Sequence, residues 1–108
     1  MGEADHSNIT EVEIRDALNR LLAADQIRSS DRLRKFLAYI VEETLAGRKS
    51  RLKGYTIGVT VFDKPEDFDP ATDASVRVEA IRLRQTVENH YLREGKYDPV
   101  RIEIPKGG

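Results

Sequence analysis

The chain has 108 residues, the size of one domain, and its 39% hydrophobic content suffices for a single modest core. It contains no cysteine, which excludes a disulfide framework and a thiolate metal site. The formal net charge of −1 argues against a uniformly basic nucleic-acid binder, but the average hides blocks of opposite sign. Residues 26–54 carry eight cations and three acids, residues 55–73 one and five, and residues 74–108 seven and five.

No run approaches the roughly 18 to 20 apolar residues of a membrane span, and "MGEADHSN" lacks the build of a secretory signal. The expectation is a soluble, cytoplasmic protein without membrane contact. Residues 1–8 show no periodicity and read as a disordered tail, leaving 9–108 as one domain.

Thr10 and Glu13 have the spacing of a capping box. Val12, Ile14, Leu18, Leu21 and Leu22 then recur at mostly three- and four-residue steps, which predicts an amphipathic helix over 10–24. "DQIRSSD" breaks it. Ser29 or Ser30 is placed to cap a second helix through "DRLRKFLAYIVEETLA", with a wide apolar face of Leu33, Phe36, Leu37, Ile40, Val41 and Leu45. Gly47 stands where a left-handed cap belongs. The basic cluster Arg48, Lys49, Arg51 and Lys53 follows, and cations there also suit the negative end of the helix dipole.

"GYTIGVTVF" supports two readings. Ile57, Val59 and Val61 alternate as a strand would, while Leu52, Tyr55, Val59 and Phe62 have helical spacing. "DKPEDFDPATD" is an acidic loop with Phe68 to anchor it. Asp73 is a candidate N-cap for a third long helix over 72–91, which stacks Val76, Ala80, Leu83, Val87 and Tyr91 on one face. After the turn-rich "REGKYDP", "VRIEI" alternates apolar Val100, Ile102 and Ile104 with charged neighbours, the period of a half-buried strand, and "PKGG" reads as a turn.

Two pieces of this order carry a resemblance. "VRVEAIRLRQTVE" resembles the recognition helix of OmpR/PhoB-type winged helix-turn-helix output domains, and "VRIEIPKGG" resembles the strand and turn of their wing. The longer piece from "RLRKFLAYI" to "EAIRLR" is similar to an N-terminal module of larger bacterial regulators with TolB-like, tetratricopeptide or cyclase regions. The resemblance implies a mainly α fold with a small β wing: three to four helices plus a C-terminal hairpin strand. It makes "GYTIGVTVF" a helix, with Gly58 a weak spot costing up to about 1 kcal/mol against alanine. Two departures stand out. The family's N-terminal sheet is replaced by the helical 10–24, and the wing is cut short after Gly108.

The function implied is sequence-specific binding of double-stranded DNA by a bacterial transcription regulator. A helical wheel of 72–91 sets Ser75, Val78, Arg82, Gln85 and Asn89 opposite the core stripe, with Ile81 beside them. Arginine, the amides and a small apolar residue are the side chains that read guanine acceptors, adenine edges and thymine methyls in a major groove. Arg48, Lys49, Arg51, Lys53, Arg77, Arg84 and Lys106 are the candidate phosphate contacts. An alternative is a winged-helix-like interaction module, in which Val78 and Ile81 centre a patch for a partner, a second copy or further domains. No constellation points to an enzyme, a cofactor or a metal: His6 and His90 are isolated, and Asp67, Asp69 and Asp73 lack a calcium-loop spacing.

Overall fold

The computed structural model describes residues 9–104. The tail expected at 1–8 and the candidate Lys106 lie outside them. Helix α1 spans Glu11–Leu22, α2 is the single turn Asp25–Arg28, and α3 spans Asp31–Leu45. A 3₁₀ turn at Lys49–Leu52 leads into α4, Gly54–Val61, and residues 62–74 then connect to α5, Ser75–Leu92.

The local signals that start α1 and α3 operate as their chemistry requires. Thr10 Oγ1 accepts from the Glu13 amide at 3.1 Å while Glu13 Oε1 accepts from the Thr10 amide at 3.1 Å. Ser30 Oγ accepts from the Leu33 amide at 3.2 Å, so Ser30 caps α3. Gly47 ends that helix region with φ of 76°, a conformation that costs glycine nothing sterically. The break "DQIRSSD" is not wholly irregular, because it holds α2 and buries Ile27 completely.

Helix α3 is central and is packed by α1, α2, α4, α5 and the 3₁₀ turn. Leu21, Leu33, Phe36, Leu37 and Leu83 are almost wholly out of water, and each such side chain contributes roughly 1.5 to 3 kcal/mol by burial. The face of α1 is locked to α3 by Arg15, which makes a two-pronged contact with Glu42.

Residues 54–61 form a helix despite their β-branched content, and the reason is tertiary. Ile57 and Gly58 are buried, Phe62 meets Phe36 edge-on at 5.3 Å, and Tyr55 stacks on Phe68 at 6.4 Å. Gly58 is not a weak spot there. A Cβ at that position would lie 2.3 Å from the Phe68 ring, so only glycine lets the acidic loop close onto α4.

The β wing is overturned. The described residues contain no strand, and every regular element they form is a helix. Residues 100–104 place Val100 in the core and pack Ile102 and Ile104 against it, so the alternating pattern is satisfied by burial. A strand also needs a backbone ladder. Here the backbone is met by side chains instead: the Ile102 amide donates to Tyr91 Oη at 2.9 Å, and the Ile104 carbonyl accepts from Arg84 Nε at 3.1 Å. Tyr91→Phe is therefore expected to cost about 1 kcal/mol, the net worth of one hydrogen bond. Amide exchange at Ile102 should accelerate, and unchanged protection would show that Tyr91 does not hold the segment.

Among the described residues, no helix is long and apolar enough to cross a membrane.

Candidate nucleic-acid interface

Helix α5 is positioned by four buried residues, Val76, Leu83, Val87 and Tyr91, with Ala80 half-buried between them. That stripe fixes the rotation of the helix. Val78, Arg82, Gln85 and Asn89 are consequently all exposed along the opposite side. At 1.5 Å per residue this strip runs for about 16 Å.

Ser75 does not join it. The N-cap of α5 is Ala74 rather than the expected Asp73. Asp73 Oδ1 accepts instead from the Ser75 amide at 2.9 Å and from the Ser75 hydroxyl, while Asp73 Oδ2 meets Lys64 Nζ at 3.0 Å. Ser75 is thus half-buried and engaged in starting its own helix. The Ser75 hydroxyl, then its amide, then the Lys64 ammonium hold the Asp73 carboxyl down from 3.8 to about 2. A depressed folded value means that the stability Asp73 lends is complete above about pH 4 and is lost as pH falls through 2. Carboxyl-detected NMR titration is expected to show Ser75→Ala raising the Asp73 midpoint more than Lys64→Met does. The reverse order would show that the ammonium dominates.

Arg82 extends from the strip with its side chain 60% exposed, 3.6 Å from Glu79, which also lies 3.6 Å from Arg32. Arg32 in turn covers the Phe62 ring at 5.0 Å. At 3.6 Å these are ion contacts without hydrogen-bond geometry, so Glu79 orients the Arg82 guanidinium and leaves its donors available. Arg77 is exposed, and no ion-pair partner for it is found among the described residues. Arg84 is half-buried and bound to the 100–104 segment.

The basic cluster divides in two. Arg48 grips the Glu43 carboxylate with Nε at 3.0 Å and Nη2 at 2.6 Å, and Arg51 Nη1 approaches the other oxygen at 3.9 Å. The Glu43 side chain is 6% exposed, and the Arg48 hydrogen bond pulls its pKa below the usual carboxylate value. The Arg51 carbonyl also accepts from the Tyr39 hydroxyl at 2.9 Å. Lys49 and Lys53 are exposed with no ion-pair partner among the described residues. Glu43 escaped the sequence reading, although the signal was present: it sits seven residues after Phe36, on the apolar stripe, where an acid needs a partner.

His90 is buried at the other end of α5, edge-on to Tyr91 at 5.0 Å, with Nε2 3.6 Å from Asp98. Asp98 also lies 3.5 Å from Arg20 of α1, so this group ties the turn after α5 back to the first helix.

A further feature was not foreseen. An open apolar groove of about 1040 Å³ lies between α3, the 3₁₀ turn, α4, α5 and Ile104. The inner flank of α5 lines it through Val76, Arg77, Ala80, Ile81 and Arg84, and Gln85 of the exposed strip borders it too, while Val78, Arg82 and Asn89 face away.

Comparison with protein-family models, curated proteins and solved structures returned no match to this chain.

Proposed function

We propose that this chain binds double-stranded DNA as the DNA-contacting module of a cytoplasmic bacterial transcription regulator, with α5 laid in the major groove. The observation that carries the reading is the continuous exposed strip of Val78, Arg82, Gln85 and Asn89. It combines a guanidinium, two amides and a small apolar group, the set that base edges require. An α-helix with its side chains is about 10 to 12 Å across and matches a major groove about 12 Å wide. The likeness of "VRVEAIRLRQTVE" to OmpR/PhoB-type recognition helices supports the same assignment. A wing plays no part in it.

The working contacts are fewer than the sequence suggested. Arg82, Gln85, Asn89 and Val78 address bases, and Arg77, Lys49 and Lys53 address phosphates. Ser75, Arg48, Arg51 and Arg84 build the protein that presents them. Fluorescence anisotropy of a labelled duplex, titrated at two salt concentrations, tests the reading. Salt-sensitive binding is expected, and no binding at low salt would reject it.

A second reading has its own observation. Val78, Ile81 and Leu92 are exposed apolar residues on α5, at 59%, 44% and 74%. An interaction module would use them as a contact patch with another copy or a further domain. Sedimentation without DNA separates the readings: Val78→Asp should dissolve an assembly if this second reading holds.

A further inference from the structure

The groove beside α5 has a chemistry distinct from the outward strip. Its floor is apolar, formed by Phe36 and Ile40 of α3, Ile57 of α4 and Ile81 of α5. One wall is cationic: Arg77 lines it and has no ion-pair partner among the described residues. The one carboxylate in the lining, Asp73, is already matched by Lys64 and Ser75.

We infer that this groove is a docking site for an acidic amphipathic helix of a protein partner. The length fits. Lining residues on α5 run from Val76 to Gln85, nine steps or about 13 Å, and two turns of a docked helix with anchors at i, i+3 or i+4, and i+7 need about 10 Å. The charge fits as well, because a carboxylate flanking such anchors would face Arg77 and meet no uncompensated acid. A basic helix of the same apolar pattern would bring like charges together at the α5 wall. The inference does not rest on DNA binding: Val78, Arg82 and Asn89 lie outside the groove, and of the proposed duplex contacts only Arg77 and Gln85 line it.

The test uses two labelled synthetic peptides with leucine at positions i, i+3, i+4 and i+7. One carries glutamate at the flanking positions and its twin carries lysine. Anisotropy titration is expected to show the glutamate peptide binding one to one, and the lysine twin about tenfold weaker or worse. Ile81→Asp should abolish binding. Arg77→Glu, at an exposed position that leaves the core untouched, should reverse the order of the two peptides. Melting curves of both variants confirm that they fold. Equal binding of the twins, binding by neither, or indifference to Arg77→Glu would overturn the inference. So would a dimer of this chain that Ile81→Asp dissociates and the peptide fails to displace, since the groove would then serve a second copy.

Discussion

Gly58→Ala is expected to destabilise the protein by about 2 kcal/mol, although helix propensity alone assigns the change a gain approaching 1 kcal/mol. The added methyl would stand 2.3, 2.7 and 2.9 Å from three atoms of the Phe68 ring. Real contacts of a Cβ do not close below 3.0 Å, so the ring must move. It has little room to do so. Phe68 is 8% exposed, stacks on Tyr55, and lies on a loop whose backbone is pinned where the Tyr55 hydroxyl donates to the Glu66 carbonyl at 2.9 Å. Overpacking of this kind costs typically 1 to 3 kcal/mol beyond any propensity gain. At about 4 to 8 °C per kcal/mol for a domain of this size, the midpoint of thermal unfolding should fall by roughly 10 °C. Combining Gly58→Ala with Phe68→Leu should recover part of the loss by removing the atoms in the way. A single Gly58→Ala variant that melts above the parent would show that the loop re-seats freely.

The same glycine illustrates what a linear reading captures. Helices α1 and α3 were legible because their information is local: a capping pair three residues apart, and apolar residues at steps of three and four. Helix α4 was ambiguous from pattern alone, because eight residues rich in valine, isoleucine and threonine satisfy two periods at once. Packing against Phe36 and Phe68 decided it, and neither contact is written nearby. The segment 100–104 has the right alternation for a strand, and its inward side chains follow that pattern, Val100 buried and Ile102 and Ile104 half-buried. The pattern reports which side chains go in, while a strand is defined by where its backbone hydrogen bonds go. Tyr91 and Arg84 take those bonds, across 11 and 20 residues of sequence.

The candidate interface divides on the same principle. The outward strip was readable because a wheel needs only the identity of the core face. Which cations are available was not, because a guanidinium's partner decides that. Arg48 and Lys49 are equivalent charges in the sequence. In the fold, one completes a buried carboxylate and the other faces water. The groove was invisible, since its walls come from α3, α4, α5 and Ile104, and no single stretch carries its outline.

Salt is expected to weaken duplex binding steeply, and the available cations set how steeply. If Arg77, Lys49 and Lys53 each neutralise one phosphate, the slope of log affinity against log salt should be about −2.7. Raising salt from about 50 to 200 mM would then lower affinity by roughly 40-fold. Lys49→Ala or Lys53→Ala should make the slope shallower by about 0.9 and weaken all sequences alike. Arg48→Ala should leave the slope unchanged while lowering stability, because its guanidinium serves Glu43. Arg82→Ala should behave differently again: a loss of roughly 10- to 100-fold on the preferred site, from about 1 to 3 kcal/mol of base recognition, and a much smaller loss on random duplex. Selection of preferred duplexes from a random pool, followed by titration of each variant, supplies the comparison. The four variants separate two accounts of the positive charge. If Arg48→Ala flattens the slope as much as Lys49→Ala does, the Glu43 pair opens on DNA and the cluster acts as one patch. If Arg82→Ala weakens preferred and random duplex equally, α5 presents charge to the backbone and its amides read nothing.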